Sequence, residues 1–324
     1  MKELTANSFS HRRAFSTSAI AWLAIMCAVT VSRADDKTDV KHSFLGVGHA
    51  NKAVIIGEDG AVLWRFGLPA SDGWVLPSGN VLLALYRTKK FLNGGVVEVD
   101  RKTKKIVFEY KGRQKETSTV QPLPDGTFLV AELGPQPRAV VINRQGKIVK
   151  TTPLQCQKKN FHMQTRMLRA LPNGNYLAPH LLDFAVKEYD ASTGKVLRTF
   201  ATDERGRKKR DWPFTAIRLK NGNTLIACTN GNRIIEVDGR GKIVWSVTNS
   251  DLGESLFADA CGAQRLPNGN TVISSYRARG KKVKLFEITR KKKVVWRYSG
   301  MSAGFHHFQI LTTNGKPLKD NTWK

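Results

Sequence analysis

The chain has 324 residues, of which 41% are hydrophobic, 9% aromatic and 24% charged, enough to bury a sizeable core and too apolar for a disordered chain. Lys and Arg number 53 against 26 Asp and Glu, and the resulting net charge of +27 points to an anionic partner or surrounding. Four cysteines in this length exclude a disulfide-stapled miniprotein.

Residues 1–34 read as a signal peptide: Arg12-Arg13, the apolar run Ala19 to Val31 and Ser32-Arg33-Ala34 form an n-region, an h-region and a small-x-small cleavage site. The run is shorter than the roughly 20 apolar residues of a membrane span, and no later stretch is longer. The arginine pair also resembles a twin-arginine signal, so the twin-arginine and general secretory routes both stay open. The expectation is a periplasmic or secreted, monomeric protein whose folded domain is 35–324. Removing the four basic and one acidic residues of 1–34 leaves +24, so the charge belongs to that domain. Cys156, Cys228 and Cys261 remain, with no CxxC or Cys/His metal spacing. No metal and no cofactor are expected, and a Cys228–Cys261 bridge stays open.

In chain order, two phrases alternate. The first is Leu76-Pro-Ser-Gly-Asn80, then Leu123-Pro-Asp-Gly-Thr127, Leu171-Pro-Asn-Gly-Asn175, Leu219-Lys-Asn-Gly-Asn223, Leu266-Pro-Asn-Gly-Asn270 and Leu311-Thr-Thr-Asn-Gly315. Its glycines lie 47, 48, 48, 47 and 46 residues apart. Asn-Gly and Asp-Gly supply the positive φ of a hairpin turn, and apolar strands flank each. The second phrase, as in Asp59-Gly-Ala-Val-Leu-Trp64 and Gly241-Lys-Ile-Val-Trp245, marks another hairpin with an outer-strand aromatic. Two hairpins per period give four strands, and six periods predict an all-β, six-bladed propeller of four-stranded antiparallel blades. The chain opens on a second hairpin alone, Ala53 to Phe66, and closes on a first alone, Phe305 to about Trp323. These halves are expected to share one blade, closing the ring and removing its open edges.

Tyr189-Asp-Ala-Ser-Thr-Gly-Lys-Val-Leu197 and Glu236-Val-Asp-Gly-Arg-Gly-Lys-Ile-Val-Trp245 resemble the pyrroloquinoline-quinone-type propeller repeat, and Leu-Pro-Asn-Gly-Asn followed by that phrase is similar to arylsulfotransferase-like propellers. The resemblance implies a histidine that accepts a sulfuryl group and passes it to a phenol. Quinoprotein dehydrogenases typically have eight blades and an adjacent cysteine pair, both missing here. A metal-dependent lactonase would call on acids such as Glu132 and Asp259 with Asn230.

If each Leu-Pro-Asn-Gly turn ends an innermost strand on a lower face, the residues entering that strand meet on the upper face, where function is usually grafted. Four of the six histidines beyond residue 34 fall there: His162, His180, His306 and His307. Strand alternation admits one of His306 and His307 to the axis, and His307 is expected to face His162 across it as the catalytic pair, with His306 packed between blades. Arg166, His180, Arg277, Asp259 and Gln309 are the expected ligand-binding residues, the arginines for an anionic group. The leading reading is a propeller that binds an anionic small molecule or polyanion, such as an acidic or sulfated glycan, on its upper face; histidine-mediated sulfuryl transfer is the alternative. Basic runs at Arg205 to Arg210 and Arg277 to Lys282 flank that face. No nucleic-acid module is present, and no specific nucleic acid is expected as partner.

Overall fold

A computed structural model describes residues 39–157, 160–203, 210–318 and 324. The leader 1–34, the bases of the 205–210 run before Arg210 and the segment around Trp323 lie outside the described residues. The strands form six antiparallel sheets around an axis, each one blade of a β-propeller. Their innermost strands are Ala70–Val75, Glu116–Pro122, Arg169–Ala170, Trp212–Arg218, Ala260–Arg265 and His307–Thr313, for blades one to six. Among the described residues no helix is long and apolar enough to cross a membrane.

Both ends of the chain close the ring, but divided three strands to one and not two to two. His42–Gly48, Lys52–Ile56 and Val62–Phe66 complete the sixth blade on the inner strand His307–Thr313, through pairs such as Gly46 with Phe308. The apolar stretch before Ala53, His42 to Gly48, is therefore the blade's second strand. Lys316–Pro317 folds back on the other side of the inner strand as a short extra hairpin.

The repeated phrase does three things. Its turn closes through Gly79 N to Leu76 O at 2.8 Å with Gly79 at φ +86°, a four-residue turn ending in a left-handed glycine where a two-residue turn was expected. Its leading leucine is buried at the blade foot, as for Leu76 and Leu266. Its last asparagine reaches sideways: Asn80, Asn175, Asn223 and Asn270 donate to Glu98, Glu188, Glu236 and Glu287 of their own third strands, at 2.7–2.9 Å.

Each of those glutamates also takes a basic side chain from the following blade. Glu98 pairs with Arg144, Glu188 with Arg218 at 2.9 Å, and Glu236 with Arg265 at 3.1 Å and with Arg290. Glu287 meets His42 at 2.7 Å, which latches the last blade to the N-terminal strand. Buried carboxylates need such partners, so the latch fixes blade order as well as blade contact.

Apolar packing lies between blades, as in the cluster of Leu45, Val47 and Ile55 from blade six with Leu83, Val97 and Val99 from blade one. The outer-strand aromatics fill it as expected, and Trp64 and Trp245 each donate their indole N–H to a neighbouring blade, to Arg101 O and Arg290 O, both at 3.0 Å. Near the axis, Gln309, Gln121 and Gln264 accept from the next inner strand, at Val75 N, Ala170 N and Ile310 N.

Candidate functional site at the upper mouth

Counting back from each motif leucine, the fourth residue lies in the axis: Asp72, Thr119, Met167, Thr215, Gly262 and His307. The fifth is Ser71, Ser118, Arg166, Phe214, Cys261 or His306, and a β-bulge falls beside it in blades one, two, four and five. Bulges break the strict in-and-out alternation. In blade six the strand begins at His307, so His306 lies outside regular pairing.

His306 and His307 therefore both turn to the axis, at different levels. His306 is at the upper mouth among residues of three other blades. Its Nδ1 shares a hydrogen bond with the Tyr86 hydroxyl, Tyr276 lies with ring centroids 3.9 Å away, and Phe214 at 5.3 Å. The expectation that His306 packs between blades is corrected by these contacts. Burial, reinforced by the Arg166 guanidinium, holds the His306 imidazole well below the usual histidine range. Burial also drives the Tyr86 phenol well above its ordinary value, against the pull of Arg166. Both are thus neutral near pH 7, and the single imidazole proton sits on Nε2 where Tyr86 donates or on Nδ1 where Tyr86 accepts.

Beside this pair lies a charged cluster. Arg166 is 1% exposed, and its Nη1 donates to Glu116 Oε1 at 2.9 Å and to Thr165 O at 3.2 Å. Its Nη2 is buried with no hydrogen-bond partner. Glu116 also meets His162 Nδ1 at 3.0 Å; burial would raise its carboxyl, but Arg166 and His162 outweigh that and bring it to about 2.

His162 does not face His307. It sits in a 3-10 turn, Phe161–Met163, half exposed on the rim, because the inner strand of blade three is cut to Arg169–Ala170. The structure brings His162, through Glu116 and Arg166, into the electrostatic surroundings of His306 instead. His307 is fully buried in the channel, its Nδ1 3.4 Å from Asp72 Oδ1.

The four other expected ligand residues have partners of their own. His180 is buried with both ring nitrogens engaged, Nδ1 with Gln164 O at 2.9 Å and Nε2 with Tyr189 OH at 2.7 Å, and burial lowers it to about 4. Gln309 spends its carbonyl on Val75 N, a clamp between blades. Arg277 and Asp259 pair at 2.7 Å with the Arg277 side chain 74% exposed. The acids considered for a lactonase are committed as well: Glu132 takes Tyr110, Arg113 N and Arg138. Among the described residues no group of three or more His, Cys, Asp or Glu is placed to hold a metal ion. Among the described residues no disulfide joins Cys156, Cys228 or Cys261, so the open bridge is not formed; Cys261 Sγ lies 3.7 Å from Thr229 Oγ1.

Tyr86 and Tyr276 were not among the site residues expected from the sequence. Each follows its motif leucine by ten residues, at the end of a second strand, and that shared offset was the available signal. Glu116 and Arg169 were missed: Glu116 opens the inner strand of blade two and meets blade three only through Arg166 and His162, and Arg169 lies in a strand whose shortening only the pairing reveals.

No family model matches the chain, and no curated protein matches it. Among solved structures, a protein of unknown function from Bacteroides caccae has a TM-score of 0.71 at 22% identity, covering 86% of this chain and all of that one. A periplasmic gluconolactonase from Pseudomonas aeruginosa has a TM-score of 0.56 at 11% identity, covering 85% and 98%. A catalytically inactive histidine-to-alanine variant of virginiamycin B lyase from Staphylococcus aureus, with quinupristin, has a TM-score of 0.54 at 14% identity, covering 85% and 93%. At these identities the likeness shows a shared propeller fold.

Proposed function

We propose that this protein is an exported propeller that binds a small organic anion, a carboxylate or a sulfate ester, in its upper mouth, with Arg166 as the anchor. The observation that carries this reading is the Arg166 Nη2, buried and without a partner beside the neutral Tyr86–His306 pair. A buried guanidinium donor left open is costly, and an anion oxygen would satisfy it with a charge-assisted bond. Glu116 holds the other edge of the guanidinium and so fixes its plane. The Tyr276 ring supplies an apolar wall for the ligand's body. Arg277, exposed at the rim, adds to the field that draws anions in.

A second reading, catalysis at the same mouth, is favoured by the Tyr86–His306 hydrogen bond. In the tautomer whose Nδ1–H donates to the Tyr86 oxygen, the His306 Nε2 lone pair is free to take a proton from a bound substrate, Tyr86 holds the ring's orientation, and Arg166 would stabilise negative charge that develops on an adjacent carboxyl or carbonyl oxygen. Lyase and lactonase names among the structural neighbours agree with acid–base chemistry. In the sulfuryl-transfer version the accepting histidine would be His306, since His307 is enclosed within the channel.

Calorimetric titration with 4-nitrophenyl sulfate and with benzoate tests the binding reading. Arg166→Gln is expected to weaken the bound anion at least tenfold while Arg277→Gln changes affinity about twofold. Equal affinity for the parent and Arg166→Gln proteins would contradict it.

A further inference from the structure

Below the mouth the channel changes character. Of the six fourth-place residues only Asp72 is acidic, and it is fully buried. Asp72 Oδ2 accepts from Thr119 Oγ1 at 2.7 Å and from Arg169 Nη1 at 2.8 Å. Lys324 brings its ammonium to this level: it donates to Gly73 O, lies 3.7 Å from Asp72 Oδ1 and 3.4 Å from His307 Nδ1, and sits 4.1 Å from the Trp74 ring centroid. Carboxylate, carbonyl and indole face together are the surroundings that recognise an alkylammonium group. The same residue is held at its other end, where Arg169 Nε donates to the Lys324 main-chain oxygen at 3.0 Å.

A cavity of about 880 Å³ lies directly beside Lys324, lined among others by Trp74, Gln121, Arg169, Arg218 and Gln309. Those residues end at the Leu-Pro turns, so the cavity belongs to the lower half of the axis and shares no residue with the Arg166 cluster. His307 Nε2, fully buried, has no hydrogen-bond partner. A side chain held at both ends next to open space occupies its groups as a ligand would.

We propose that the lower axial channel is a binding site for a primary alkylammonium compound whose oxygen acceptor lies at the opposite end of its carbon chain from the ammonium, with free lysine as the simplest case, and that Lys324 is its intramolecular occupant. Asp72, Gly73 O and Trp74 receive the ammonium, and Arg169 Nε receives the acceptor oxygen. An external ligand competes with Lys324 for the same groups, so the unaltered chain binds it weakly.

Calorimetric titration of L-lysine into the unaltered chain and the Lys324→Ala protein tests this, with L-norleucine, which lacks the side-chain ammonium, as comparison. Lys324→Ala is expected to bind one lysine at least tenfold more tightly than the unaltered chain does and at least tenfold more tightly than it binds norleucine. Adding Asp72→Asn is expected to abolish that binding. If the Asp72→Asn protein does not fold, the lysine and norleucine comparison on Lys324→Ala decides alone. Absence of saturable lysine binding by Lys324→Ala, equal binding of norleucine, or unfolding of Lys324→Ala would overturn the proposal, the last because Lys324 would then be a core residue.

Discussion

The Tyr86 hydroxyl hydrogen-bonds Nδ1 of His306, joining the end of a second strand in blade one to the start of the inner strand in blade six. The bond spans the closure of the ring, so the geometry of the mouth depends on both chain ends being docked. It also ties the imidazole's tautomer to the phenol: a neutral Tyr86 either donates to Nδ1 or accepts from Nδ1–H, and the other ring nitrogen takes the complementary role.

Tyr86→Phe removes the hydroxyl and leaves a buried imidazole nitrogen without its partner. The His306 pKa is expected to move, upward where Tyr86 donates in the parent and downward where Nδ1–H donates to it, and stability to fall by about 1–3 kcal/mol. An NMR titration of the histidine ring carbons, with urea unfolding alongside, reads both. An unmoved His306 titration would mean that the hydroxyl does not govern the ring.

His180, His306 and His307 are all held below the ordinary histidine value of 6.5, first by burial. Their unfolded counterparts bind protons below about pH 6.5 while the folded ones do not, so stability falls as pH drops below 6.5, approaching roughly 1.4 kcal/mol per pH unit for each ring. Carboxylates such as Glu116, brought to about 2, keep their contribution until the pH falls below about 4.5. Urea midpoints at pH 7, 6 and 5 should therefore decline with growing steepness. A flat profile down to pH 5 would show that these rings are solvated.

Glu236 is a three-way junction, bound to Asn223, Arg265 and Arg290 with its side chain 2% exposed. Glu236→Gln strands two guanidinium groups between blades four and five and is expected to cost about 3 kcal/mol. The exposed Lys90–Glu109 pair at 2.5 Å provides the contrast, with Lys90→Ala costing less than about 1 kcal/mol. Chemical denaturation of both variants checks the ranking.

Deleting the chain from Phe305 onward removes the sixth blade's inner strand and strips Phe305, Phe308 and Ile310 from a core they share with Phe44, Trp296 and Tyr298. Three N-terminal strands would remain with an unpaired edge. Loss of a cooperative calorimetric transition is expected, and a truncated chain that melts like the full one would contradict the closure.

The blade count was legible because turn chemistry is local: a left-handed glycine after Leu-Pro-Asn repeats with the period of the blade. The sharing of the last blade was legible from the two unmatched ends, but not its division, since His42 to Gly48 carries no turn phrase of its own. The mouth was read only in part. Arg166 was found, whereas the relation of His306 to His307 turned on where regular pairing begins, which alternation along a strand does not reveal. Gln309 looked like a ligand residue because its backbone clamp depends on the neighbouring blade.

The central claim, an anion site at Arg166, is tested most directly by the anomalous difference map of a crystal soaked in sodium selenate. Selenate is expected in the upper mouth, one oxygen within hydrogen-bond distance of Arg166 Nη2 and the ion beside His306 and Tyr276. Selenate bound only on the lower face, for example at Arg265 and Arg290, with the mouth empty, would contradict the account.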